Sequence, residues 1–157
     1  MTRKHTKRKV WPLRDPISHA MTGARVVIEA ENIPAYVAMT HLSMKALVNG
    51  EATKQDMQHL TMAHNMVAAF MKQSFAGPHA PDMDASADAL DGIAKRSVLK
   101  GRILGTGPEL SALNFMLQIH DQLMETASVS EYNKAVNYAN GVVKSGKSQG
   151  LTFKEAA

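Results

Sequence analysis

The sequence predicts an all-α fold, an irregular bundle of about six helices with a disordered basic N-terminal arm. Three observations carry this expectation. Apolar residues recur at steps of three and four along most of the 157 residues. Helix start and stop signals bracket those stretches. The one β-like run, Val26-Val27-Ile28, is three residues long and makes at most an isolated bridge.

The elements follow in order. Pro12 disfavours helix at Trp11, so residues 10–14 are expected to be extended. Asp15-Pro16 supplies an N-cap and a first-turn proline for a short helix to about Met21, ended by Gly23. A second helix is predicted from Asn32–Pro34 to the stop pair Asn49-Gly50. Lys45 is its only Lys, Arg, Asp or Glu. Ile33, Val37, Met44, Leu47 and Val48 form its stripe, which Tyr36, Met39 and Leu42 widen. A helix apolar on most sides is expected at the centre of its domain.

Thr53 and Asp56 open the next helix as a capping box with Asp in place of Glu. Met57, Leu60, His64, Val67 and Met71 form its stripe; Gly77-Pro78 ends it and Pro81 extends the loop. From about Asp84 to Leu99 a further helix turns Leu90, Ile93, Ala94 and Val98 inward. Asp84, Asp88 and Asp91 lie in its first half and Lys95, Arg96 and Lys100 towards its end, the polarity that a helix dipole favours. Gly107-Pro108-Glu109 starts a helix with Leu110, Leu113, Leu117, His120, Met124 and Ala127 inward. Ser128-x-x-Glu131 is a capping box for the last helix, with Tyr132, Val136, Ala139 and Val143 inward and Gly146 as the stop. The predicted organisation is therefore a basic arm and extended segment over 1–14, one helical domain over 15–146 and a loose tail over 147–157.

Composition excludes several chemistries. The chain has no Cys, and hence no thiol nucleophile, Cys-ligated zinc or disulfide. The N-terminal region lacks the unbroken apolar stretch of a signal peptide, and no run approaches the roughly 18 apolar residues of a membrane span. A cytoplasmic protein is expected. The 11 Met and few aromatics suit a core of Leu, Val, Ala and Met, and also an adaptable binding surface.

Charge is unevenly placed. Arg3, Lys4, Lys7, Arg8 and Lys9 form the arm, whereas from Val10 onward 13 basic residues face 14 acidic ones. The arm is a candidate for salt-sensitive, sequence-blind phosphate contacts or for an acidic partner, set against the plainer role of a solubilising tail. Trp11 is a candidate partner anchor, or a pin holding the arm to the bundle.

The segment Gly141-Val142-Val143-Lys144-Ser145-Gly146-Lys147-Ser148 satisfies the letters of a P-loop. A working P-loop follows a strand and opens a helix, whose amides cradle the phosphates. Here a helix precedes it and too little chain follows, so no nucleotide chemistry is assigned. His41, His64 and His120 fall on the inner stripes of three helices, and a His-ligated metal protein is an alternative reading. The plainer reading is three separately hydrogen-bonded core histidines. Asp121 is expected to point away from His120 without completing a triad. The acidic group Asp82, Asp84, Asp88 and Asp91 lacks calcium-loop spacing and reads as a solvated face. No catalytic residue, metal or cofactor is assigned.

Arg8-Lys9-Val10-Trp11-Pro12-Leu13, followed by Asp15-Pro16-Ile17 and a helical body, resembles small accessory proteins carried by phages and plasmids of bacteria. The resemblance covers about the first 20 residues, and implies action by binding within a mobile element. The expected function is a non-enzymatic binding module working through protein–protein contacts, for instance an inhibitor of a host or defence complex. The alternative is a nucleic-acid-binding protein that uses the arm. Self-association through surplus apolar surface is also expected.

Overall fold

The computed structural model describes residues 33–74 and 80–147. The arm cations Arg3, Lys4, Lys7, Arg8 and Lys9, together with Trp11, the helix expected over 16–21, the 26–28 run and the expected tail beyond Lys147, lie outside the described residues. Within them the chain is all helical and contains no strand. Five helices follow one another: α1 (Ile33–Asn49), α2 (Lys54–Ser74), α3 (Ala80–Lys100), α4 (Gly107–Thr126) and α5 (Val129–Lys144).

The helix ends follow local chemistry. At the start of α2 the Asp56 carboxylate accepts from the Thr53 amide at 2.8 Å and hydroxyl at 2.7 Å, and the Asp56 amide donates back to Thr53 Oγ1 at 3.3 Å. This is the reciprocal cap predicted, with Asp as the shorter reaching arm. Ser128 and Glu131 repeat it at α5, with the Ser128 amide donating to Glu131 at 2.9 Å and the Glu131 amide to Ser128 Oγ at 3.2 Å. The start of α4 holds a cap that the sequence reading passed over, since Thr106 donates its amide to Glu109 Oε2 at 2.7 Å. Gly50 closes α1 at φ 73°, a left-handed conformation that glycine adopts without strain.

The central helix is α2, which corrects the expectation for α1. Helix α2 packs against all four others, whereas α1 meets only α2 and α4 along substantial lengths. An apolar circumference therefore did not mean burial on every side. Helix α1 buries Thr40, Ser43, Met44 and Leu47, and leaves Met39, Leu42 and Val48 exposed, Leu42 at 64%. Two apolar clusters lie on α2. One joins its Leu60 and Val67 to Leu47, Leu90, Ile93 and Leu117. The other joins its Met66 and Phe70 to Met124, Ala135 and Ala139. Each fully buried Leu or Ile contributes about 1.5–3 kcal/mol relative to exposure.

Three further expectations change. Helix α3 begins at Ala80 with Pro81 in its first turn, where a missing amide costs nothing because it has no intrahelical acceptor. Val98 is exposed and Ser97 takes the inward position, its hydroxyl satisfied by the Ala94 carbonyl at 2.7 Å. In α5 the buried pair is Ala135 and Ala139, with Val143 exposed; small side chains let α5 approach α2 closely.

Candidate binding groove and its histidine cluster

Helices α1 and α4 pack side by side and leave an open groove of about 480 Å³ between them. Met44, Val48 and Leu110 supply its apolar surface, and His41, Lys45, Ser111 and Asn114 its polar groups. These residues fall at helical steps along both elements, so the groove follows from two regular helices with short polar side chains on α4 facing larger ones on α1. A concave apolar surface with a few convergent polar groups is the usual form of a binding site.

The histidines separate into three settings. Asp121 joins two of them. Its Oδ2 accepts from His41 Nε2 at 2.8 Å, and its Oδ1 lies 3.3 Å from His120 Nδ1. The expectation that Asp121 points away from His120 is thereby corrected: Asp121 sits at the α1–α4 seam, and its two oxygens reach in different directions. The His120 side chain is fully buried, and its ring stacks at a tilt on Tyr36, 5.6 Å between centroids. A proton on Nδ1 serves Asp121, which leaves Nε2 as a buried acceptor without a partner. Burial holds the His120 pKa below its ordinary value, against the opposing pull of Asp121. The buried Tyr36 hydroxyl, also without a partner, is pushed above its ordinary value by burial and by Tyr132.

His64 is placed elsewhere. Its Nδ1 lies 2.9 Å from Ser86 Oγ, which in turn donates to the Met83 carbonyl at 2.9 Å. With the hydroxyl proton committed to Met83, His64 is the donor to Ser86. The three inner-stripe histidines thus divide: His41 and His120 meet at one carboxylate, and His64 forms its own buried hydrogen bond. Among the described residues no group of three or more His, Asp or Glu is disposed to hold a metal ion.

A second cluster, missed by sequence reasoning, joins Ser43 of α1 to Asp56 and His59 of α2. Ser43 Oγ donates to Asp56 Oδ1 at 2.9 Å and lies 2.9 Å from His59 Nδ1. The hydroxyl has one proton, and Asp56 takes it, so His59 meets the same oxygen as a donor. Activation of a serine nucleophile needs the opposite order, with an imidazole accepting the hydroxyl proton. The Ser43 side chain is also buried. The signal was present in the sequence as the short loop 50–53, which folds α2 back along α1 and sets residues 43, 56 and 59 opposite one another.

The P-loop letters fall where their sequence context implied. Gly141 to Lys144 form the last turn of α5, and the amides of Ser145 and Gly146 donate to the carbonyls of Gly141 and Val143 at 3.0 and 3.1 Å. Those amides are spent on the helix end and are not turned towards an anion. Of the acidic group expected to form a solvated face, Asp84 and Asp88 are exposed along α3, whereas Asp82 and Asp91 are half-buried. Among the described residues no helix is long and apolar enough to cross a membrane. Compared with protein-family models, with curated proteins and with solved structures, the chain matches none.

Proposed function

We propose that this chain is a non-enzymatic binding module that acts through protein–protein contacts, in the cytoplasm, as a mobile-element accessory or an inhibitor of a host or defence complex. The α1–α4 groove carries the reading. Its openness suits a side chain or helical segment presented by another protein better than an enclosed small molecule. Val48 and Leu110 offer apolar contact, and Lys45 brings a cation without an acidic residue among the groove-lining side chains. The occupant favoured is a segment with an apolar anchor beside a carboxylate. Hot spots of such contacts are few and central. The test is affinity capture from bacterial lysate by the parent, Val48→Glu and Lys45→Glu chains. The same partner, captured by the parent and lost by both variants, supports the reading; equal capture by all three chains, or by none, counts against it.

A second reading rests on Arg3, Lys4, Lys7, Arg8 and Lys9, five cations within seven residues. Such a segment supports salt-sensitive nucleic-acid binding beside the near-neutral body. Binding of labelled duplex and single strands across a salt series, with all five changed to Ala, decides it. An unchanged affinity in the variant removes this reading.

A further inference from the structure

The chain holds two Asn-Gly pairs, Asn49-Gly50 and Asn140-Gly141. In such a pair the glycine amide nitrogen can attack the asparagine side-chain carbonyl, because no Cβ screens that nitrogen. Both asparagines are exposed, so water reaches both, and it is the backbone that distinguishes them. Asn49 is the last residue of α1, and Gly50 follows it at φ 73°. The Gly50 amide reaches the Leu47 carbonyl at 3.2 Å, the long end of the hydrogen-bond range. Among the described residues the Asn49 side chain makes no hydrogen bond. Gly141 lies inside α5, where the carbonyl one turn back holds its amide and the helical backbone keeps it from the Asn140 side chain. The charges differ as well. The Arg102 guanidinium lies 3.9 Å from where a Cβ on Gly50 would stand. Among the described residues, nothing outside its own turn of helix comes within 4 Å of that position on Gly141. A nearby cation favours the deprotonated amide that attacks.

We propose that Asn49 is a self-modification site, converted to an acid by its neighbour Gly50, and that the new charge stands beside the groove cation Lys45. The Gly50 nitrogen gives up its proton and bonds to Asn49 Cγ. The C–N bond of the side-chain amide breaks, and ammonia leaves with that proton. Water then opens the cyclic imide at either carbonyl. The product is aspartate, or an isoaspartate whose backbone runs through Cγ. One water is consumed, one ammonia is released, and nothing is oxidised or reduced. The fold requires this glycine, since a side chain at φ 73° is strained and its Cβ would lie 3.0 Å from Leu104 Cδ2. Residue 49 lies four after Lys45 on the same face of α1, and both are exposed. A carboxylate there offsets the Lys45 charge and opposes the α1 dipole at its C-terminal end. Conversion therefore weakens the groove with time for a carboxylate-bearing segment, a consequence that rests on the groove as partner site.

Peptide mapping by mass spectrometry follows acid at residues 49 and 140 while the parent chain is held at mildly alkaline pH. Asn49 is expected to convert roughly tenfold faster than Asn140, which must await opening of the α5 end. Equal rates, or faster conversion at Asn140, overturn the proposal. Gly50→Ala would strain the turn, so the supporting variants are Asn49→Gln, whose longer side chain closes a disfavoured larger ring, and Arg102→Ala. The first is expected to stay unconverted. The second is expected to slow Asn49 several-fold and leave Asn140 unchanged; an unmoved Asn49 rate removes Arg102 from the chemistry. Partner capture is then compared between fresh parent, aged parent and aged Asn49→Gln. Loss from the aged parent alone supports control of the groove, whereas retention with acid confirmed at residue 49 overturns that control. No capture by the fresh chain removes the groove reading, and the conversion rates, which need no partner, still decide the site.

Discussion

Asp121 holds His41 at 2.8 Å across the seam between α4 and α1, and this hydrogen bond is the polar tie between the two walls of the groove. His41 is half exposed, with 49% side-chain accessibility, so the pair is well screened by solvent. Asp121→Asn and His41→Ala are each expected to lower stability by about 0.5 kcal/mol in urea titrations. The double variant is expected to lose no more than Asp121→Asn alone, because either change weakens the His41 contact, while Asp121→Asn also alters the acceptor facing His120 Nδ1. Additive losses would show that the two residues act independently.

His120 makes stability depend on pH in a defined direction. Burial holds its folded pKa below the ordinary value of about 6.5 that it takes in the unfolded chain. The unfolded state therefore binds more protons between the two values, and stability rises with pH there. The contribution is complete above about pH 6.5 and falls as the pH drops below it. His120→Leu is expected to flatten this acid-side fall, with little loss at pH 8, because Nε2 has no partner to lose and the Nδ1 contact to Asp121 is long, at 3.3 Å. Thermal unfolding of both chains from pH 8 to pH 5 checks this; parallel curves would show that other groups set the slope.

Gly92, in the interior of α3, looks like a weak point in a helix until its neighbour is considered. A Cβ there would lie 2.7 Å from Glu109 Oε1. That carboxylate is fixed by Arg96 and by the Thr106 amide, while Arg96 also donates to the Leu104 carbonyl at 3.0 Å. Burial pushes the Glu109 carboxyl up, yet these hydrogen bonds outweigh it and hold it below its usual range. Gly92→Ala should therefore destabilise the chain, against the gain of about 1 kcal/mol that helix propensity alone offers. With Glu109→Ala already present, the same change should stabilise by up to about 1 kcal/mol. A gain in both backgrounds would mean that Glu109 moves aside freely.

The sequence made the helices legible because caps and apolar periodicity are local. Thr53 with Asp56, Ser128 with Glu131 and the Gly50 stop are all visible within a few residues. What the sequence withheld was pairwise. Periodicity marked α1 as apolar on most sides, but the number of neighbours it has is a property of the bundle, and that number left Leu42 outside. Likewise His120 and Asp121 are adjacent in sequence, yet only the position of α1 reveals that Asp121 also meets His41. The groove depends on the same pairing of α1 with α4. The resemblance over the first 20 residues falls outside the described residues and says nothing of this surface.

Ser43 stands between Asp56 and His59, and its removal should be read through the carboxylate. Burial pushes the Asp56 carboxyl up, while hydrogen bonds from the Thr53 amide and hydroxyl and from Ser43, with His59 beside them, outweigh it and hold it below its ordinary value. A carboxyl with a depressed folded pKa stabilises the fold above its unfolded value of about 3.9 and loses that contribution as the pH falls through the folded value. Ser43→Ala deletes one donor and leaves His59 Nδ1 without its acceptor. The expected result is an Asp56 pKa raised towards the ordinary value and a loss of about 1 kcal/mol at neutral pH. Carboxyl ¹³C titration by NMR reads the first and urea unfolding the second. The Thr53 bonds remain, so the helix start should persist and the pKa should rise only part of the way. An unmoved Asp56 titration would mean that the Ser43 contact adds nothing to the cap.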